Sequence, residues 1–159
     1  MNDLQVEAHD CEALRQQLLA HHNIQLQLCE ELEEIADALP NVSNTQKVLI
    51  ICRDILPIVK KAHQFEEKTL FPALTPSQRD DNTLSRNLER LRYEHWEDES
   101  FAEEICDELK LLVNNPNKAV IDKLSYMLRG FFEGMRRHIA FEVEYLLPEL
   151  NKSMAQNLS

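Results

Sequence analysis

Glycine is nearly absent from this chain, with two in 159 residues. Proteins built from β-strands use glycine at hairpin turns and bulges, so this scarcity argues against a sheet. The abundant residues are instead leucine, glutamate, alanine, lysine and arginine, which favour helices. The length is that of one domain. We therefore expect a single all-α domain over residues 1–159, with a helical bundle from about residue 10 to residue 150.

Several functional classes lack their sequence signals here. No apolar run approaches the roughly 18 to 20 residues that cross a bilayer. The N-terminus carries Asp3, Glu7, Asp10 and Glu12 instead of the basic start and apolar stretch of a signal peptide. A formal net charge of −11 argues against nucleic acid and anionic membranes as partners. The four cysteines form no Cys-x-x-Cys pair, which indicates reduced thiols and a cytoplasmic protein.

Helix breakers divide the chain into four long segments. The breaks fall at residues 40–41, 72–81 and 114–117, and between them apolar residues recur every three or four positions. Ser43 or Asn44 can cap the second helix. Because short connections between long helices favour antiparallel neighbours, we expect an up-down-up-down four-helix bundle.

Each of these helices carries one histidine on its apolar seam: His21, His63, His95 and His138. With a rise of 1.5 Å per residue, all four lie roughly 27 to 30 Å from the end of the bundle that holds the first and third loops. Two of them lead a His-x-x-x-Glu unit, which ends at Glu67 in the second helix and at Glu142 in the fourth. This spacing places imidazole and carboxylate on one helix face.

The same layer of the bundle collects two or three carboxylates, from Glu66 or Glu67, Asp98 or Glu99, and Glu142. Each buried carboxylate without a counter-charge costs several kcal/mol, against a total stability of about 5 to 15 kcal/mol. The group must therefore share protons, admit water or bind cations. Four imidazoles and these carboxylates exceed the needs of one tetrahedral zinc ion, and a pair of first-row metals fits them better.

Four sequence elements in this order resemble the hemerythrin-like family of HHE cation-binding domains, from about residue 10 to residue 150. They are a histidine in the first helix, HQFEEKTLFP (63–72), YEHWEDE (93–99) and HIAFEVEYLLP (138–148). The resemblance implies two iron ions per chain, with carboxylate and oxo or hydroxo bridges, in preference to manganese or zinc. It also implies that Glu67 and Glu142 are the bridging candidates, and that the terminal ligands are His21, His63, His95 and His138.

The chain departs from oxygen-carrying hemerythrins at two positions. Where their third helix has a second ligand histidine, this chain has Glu99, with Asp98 beside it. Where their fourth helix supplies an aspartate, this chain has Glu142. Because more carboxylates and fewer imidazoles favour ferric iron, reversible oxygen carriage is less strongly implied. Binding or sensing of iron and of ligands such as O2, NO or peroxide becomes the expected role.

Three ligand assignments depend on small differences in helix register. His21 is preferred to His22 because it follows the seam more closely. The sequence gives no basis for choosing between Asp98 and Glu99 as a ligand. Glu99 represents this pair in the expected ligand set.

For the second helix, Glu67 is preferred to Glu66. Glu66 follows the strict seam, but Glu67 is the fourth residue after His63, and Pro57 makes the seam unreliable beyond it.

Two other functions compete with metal and oxygen binding. A ferritin-like di-iron oxidase would build its site from Glu-x-x-His units, and this chain contains none. A metal-free helical interaction module is opposed by the clustered carboxylates. We therefore expect a binding protein more than an enzyme, while a homodimer or a protein partner stays open.

Overall fold

The structure is a computed structural model that describes residues 2–74 and 82–157, with side chains described over 10–74 and 83–152. The helices are α1 (Asn2–Ala38), α2 (Thr45–Phe65), α3 (Phe71–Leu74), α4 (Asn82–Asn114) and α5 (Ile121–Asn157). A π-helical turn, Glu66–Leu70, joins α2 to α3, and a 3-10 turn, Pro116–Lys118, precedes α5. Most of the break expected at residues 72–81 lies outside the described residues. Within the described ranges, no helix is both long and apolar enough to cross a membrane.

Helix α2 begins at a side-chain cap and continues through a proline. The Asn44 side chain accepts a hydrogen bond of 3.0 Å from the backbone N–H of Lys47, so Asn44 and not Ser43 is the cap. The Lys47 ammonium also lies 2.9 Å from Glu34 of α1, which ties the first turn of α2 to its neighbour. Pro57 lies inside α2, and the helix runs on from it to Phe65.

The four long helices form the expected bundle, in which α1 packs mainly against α5 and α2 mainly against α4. Helices α1 and α2 also pack together, whereas α4 and α5 make the least close of the four seams. The prediction of an all-α four-helix bundle is therefore confirmed.

Two apolar clusters fill the bundle, one towards each end. The larger includes Leu32, Ile55, Ile105 and Leu128. The smaller includes Leu18, Leu70, Leu91 and Leu146. Along each long helix, buried polar side chains lie between the parts that contribute to the two clusters. Hydrophobic burial on both sides thus holds a polar layer at one level of the bundle.

Candidate metal centre

The polar layer consists of six buried titratable side chains and one amide. Its members are His22, Gln25, His63, Glu66, His95, His138 and Glu142. They come from α1, α2, the π-helical turn, α4 and α5, so all four long segments contribute. Groups of this kind are costly to bury unless they are paired, hydrogen-bonded or bound to a cation.

Four side chains of the layer converge on a common space. Glu66, His95, His138 and Glu142 each offer one ligand atom, and these atoms all lie within 4.8 Å of one another. Metal–ligand bonds of about 2.0 to 2.2 Å place opposite ligands roughly 4.2 Å apart. The four side chains are therefore close enough together to hold one ion.

The contacts among these four atoms do not satisfy them. His95 Nε2 lies 2.7 Å from Glu66 Oε2, and His138 Nε2 contacts Glu142 Oε1. All four atoms are buried, and none of them makes a hydrogen bond of regular geometry. Buried polar atoms are rarely left in this state. A cation placed among them would satisfy all four, so the residues present fit a metal ion.

Three glutamates surround the layer on its outer side. Nδ1 of His63 lies 3.0 Å from Glu99 Oε1, Nδ1 of His95 lies 2.9 Å from Glu67 Oε1, and Nδ1 of His138 lies 3.3 Å from Glu94 Oε2. An imidazole that donates its Nδ1–H to a carboxylate has Nε2 available as a metal ligand. These contacts therefore suit three histidines that bind metal through Nε2.

The two adjacent glutamates of the second segment lie in different environments. The Glu66 side chain is 2% exposed and lies inside the layer, whereas the Glu67 side chain is 39% exposed and lies outside His95. The backbone explains the difference, because Phe71 N–H bonds to Glu66 O across a π-helical turn. Such a turn inserts one residue into the helix and shifts the register.

Helix α4 likewise presents its carboxylates around the layer and not within it. The Glu99 side chain is 32% exposed and contacts His63 from outside. Asp98 is partly buried, and this burial raises the pKa of its carboxyl to about 6. Neither residue belongs to the four converging side chains.

In α1 the structure places His22, and not His21, in the polar layer. The buried His22 donates from Nε2 to Glu142 Oε2 over 2.8 Å, and its Nδ1 has no hydrogen-bond partner. His21 is only partly buried and stacks on Phe65 with 5.1 Å between ring centroids. The expected preference for His21 thus does not match the packing of α1.

The charges within the layer are strongly coupled. Burial and the neighbouring Glu142 raise the pKa of the Glu66 carboxyl well above its usual value. Burial alone would raise the pKa of Glu142 too, but His138, His22 and Glu66 lie close enough to hold it well below normal. Contact with Glu142 raises the pKa of His138 despite the opposing effect of burial. Because metal ligands must be deprotonated, a bound cation would displace such protons.

The ring of His63 is held in a different way from that of His138. His63 stacks on His95 with 3.9 Å between ring centroids and 13° between ring planes. Burial, together with the nearby His95 and His138, lowers the pKa of His63. A neutral imidazole in this position is ready to act as a ligand without losing a proton.

Sequence reasoning did not identify Glu94, which contacts His138 from the neighbouring helix. A signal for it existed, since histidine ligands commonly donate their second N–H to a carboxylate. Glu94 opens the acidic stretch of α4 and lies one residue before His95. The contact of Glu94 with His138 across the α4–α5 seam can be recognised only in the folded bundle.

A family model described as the hemerythrin HHE cation-binding domain matches residues 13–150. The match covers every residue of the polar layer and its three outer glutamates. Comparison with curated proteins and with solved structures gives no match.

Proposed function

Because the chain belongs to the hemerythrin HHE cation-binding domain family, we propose that its polar layer binds two iron ions. We further propose that the loaded protein binds or senses small ligands such as O2, NO or peroxide. The observation that carries this proposal is the set of four buried, unsatisfied nitrogen and oxygen atoms that converge between two apolar clusters. Bound iron would supply open coordination positions and a change of oxidation state.

The proposed ligands follow the packing of the layer. Glu66, His95, His138 and Glu142 hold one ion between them, and His22 and His63 complete the set for a pair. His22 thereby replaces His21, and Glu66 replaces Glu67.

Glu142 is the proposed bridge between the two ions. Its Oε1 contacts His138 while its Oε2 accepts a hydrogen bond from His22. A carboxylate whose two oxygens face imidazoles on different helices would be placed to help hold both ions.

The outer glutamates are assigned a positioning role. Glu67, Glu94 and Glu99 fix the tautomer and orientation of three imidazoles, so that each Nε2 points inward. The apolar clusters above and below exclude bulk water from the same space, which strengthens electrostatic interactions within it.

The first test is the metal content of protein purified without added metal, with an optical spectrum before and after exposure to air. We expect about two iron ions per chain and near-ultraviolet charge-transfer bands that change with oxygen. Zinc in their place, or a well-folded bundle without metal, would contradict the proposed iron and oxygen chemistry.

The two adjacent histidines of α1 provide a matched test of the ligand set. We expect His22→Ala to lower iron affinity, because it removes a buried imidazole in contact with Glu142. His21→Ala should leave the affinity close to that of the unaltered protein, since His21 contacts Phe65 outside the layer. Iron titration of both variants checks this, and the reverse order of effects would restore His21 as the ligand.

A further inference from the structure

A cleft of about 450 Å3 opens between α4 and α5, along the least closely packed seam of the bundle. It is lined by Arg90, Glu94, Asp98, Gly134, Arg137, His138 and Phe141. Its volume falls in the range of ordinary small-molecule pockets. His138 is the one member of the polar layer that lines it, so the cleft leads from the surface to the layer.

The buried His138 is the lining residue that connects the cleft to the polar layer, because it belongs to both. The His138 side chain is 6% exposed, and its Nε2 has no hydrogen-bond partner. Its Nδ1 faces Glu94, and Asp98 lines the same wall. A divalent cation that moves inward would thus meet carboxylate oxygens before it reaches the imidazole, and both are ligands that first-row divalent metals bind.

Arg90 is an exposed residue in the lining of the cleft. Its Nε donates to Glu94 Oε1 over 2.9 Å, and its guanidinium lies 5.8 Å from the centroid of the Phe141 ring. Because Glu94 belongs to α4 and Phe141 to α5, these two contacts hold the arginine across the seam. Arg90 also occupies the Glu94 oxygen that an incoming cation would use.

We propose that the α4–α5 cleft is the route by which ferrous ion reaches the polar layer, and that Arg90 is its gate. The inference rests on the proposed function, since it assigns a route to the same metal centre. When Arg90 moves from Glu94, the freed carboxylate oxygen receives the cation and Asp98 and His138 lie next along the path. Along the bundle axis the layer is flanked by the two apolar clusters, which offer no oxygen ligands.

The test compares two variants of the cleft with two matched controls. Arg90→Ala opens the gate, and Arg92→Ala is its control. Arg92 belongs to the same helix and makes a similar contact, 5.4 Å from the Phe71 ring centroid, but does not line the cleft. Gly134→Leu fills the cleft, and Gly134→Ala is its control. A Cβ at this position meets nothing closer than Arg137 Nη2 at 3.8 Å, so alanine fits without displacement.

The rates of ferrous uptake by the metal-free full chain, and of release to a small chelator, are measured without oxygen. Arg90→Ala should raise both rates about fivefold, the equivalent of roughly 1 kcal/mol for an exposed ion pair with a cation–π contact. Gly134→Leu should lower both rates. Equilibrium iron content should stay unchanged in both variants, because a route affects the barrier and not the end states. Unchanged rates, or equal effects from Arg92→Ala and Gly134→Ala, would overturn the proposal.

A second readout separates failure of the route from failure of the metal proposal. Diethyl pyrocarbonate modifies accessible imidazoles of the metal-free chain, and peptide mass spectrometry resolves His138 from His21. Relative to Gly134→Ala, Gly134→Leu should slow modification of His138 and leave that of His21 unchanged. If the protein binds no iron, the proposed function fails. The rate of His138 modification would still show whether the cleft gives access to the polar layer. Equal His138 rates in the two variants would exclude the route.

Discussion

Replacing Glu142 by alanine is expected to remove most of the bound iron and to lower the melting temperature of the same variant. Glu142 is fully buried, contacts His22 and His138, and lies among the four converging side chains. Its loss leaves a buried charged partner uncompensated, at a cost of about 3 to 5 kcal/mol. For a chain of this size that corresponds to a fall of roughly 6 to 20 °C. Metal analysis and calorimetry measure the two effects.

Glu144→Ala is the matched control, because Glu144 lies two residues away on the same helix and is exposed. It should change neither quantity. Metal that binds only the folded state adds to its stability, so part of the difference between Glu142→Ala and the unaltered protein should disappear when a chelator is present. A Glu142→Ala protein with full iron content and an unchanged melting temperature would remove Glu142 from the site.

Much of the fold and part of the polar layer follow from the sequence. Proline and asparagine mark the ends of helices, and apolar periodicity places His63, His95 and His138 on inward faces. These side chains converge because antiparallel helices with short connections bring residues at equal distances from one end to the same level. His138 and Glu142, which are four residues apart, lie in contact on one helix face, because α5 is an α-helix at these positions.

The histidine of α1 could not be chosen from the pattern alone. Both three-residue and four-residue steps are compatible with a helical seam, and they lead from Leu18 to His21 or to His22. In the folded bundle the buried positions of α1 include Leu18, His22, Gln25 and Cys29. The buried face therefore passes from Leu18 to His22, which is a step of four residues. The rotation of α1 against α5 decides this, and it depends on packing across the whole interface.

A backbone irregularity made it impossible to predict from the sequence which glutamate of the second segment is buried. The i+4 rule assumes an α-helix from His63 onward, whereas the chain enters a π-helical turn at Glu66. The spacing of apolar residues in the sequence does not reveal this change from an α-helix to a π-helical turn. The rule therefore selected Glu67, which lies outside His95, and the strict seam selected the residue that is buried.

Glu66→Gln should weaken metal binding much more than Glu67→Gln, and both should have similar, small consequences for the stability of the metal-free fold. Burial and Glu142 raise the pKa of Glu66 well above its usual value, which favours the neutral carboxyl, and glutamine preserves the shape of that neutral group. Glu66→Gln should therefore keep the stability of the metal-free protein while it weakens iron binding by more than the roughly 10- to 100-fold typical of an outer partner.

Glu67→Gln should lower the iron affinity less than Glu66→Gln does, because the glutamine oxygen can still accept a hydrogen bond from His95 Nδ1. Iron titration gives the iron affinity of each variant, and chemical denaturation in the presence of a chelator gives the stability of its metal-free form. A larger loss of affinity in Glu67→Gln would return the ligand role to Glu67. It would also mean that the π-helical turn rearranges when metal binds, since only a shift in register can exchange the two adjacent side chains.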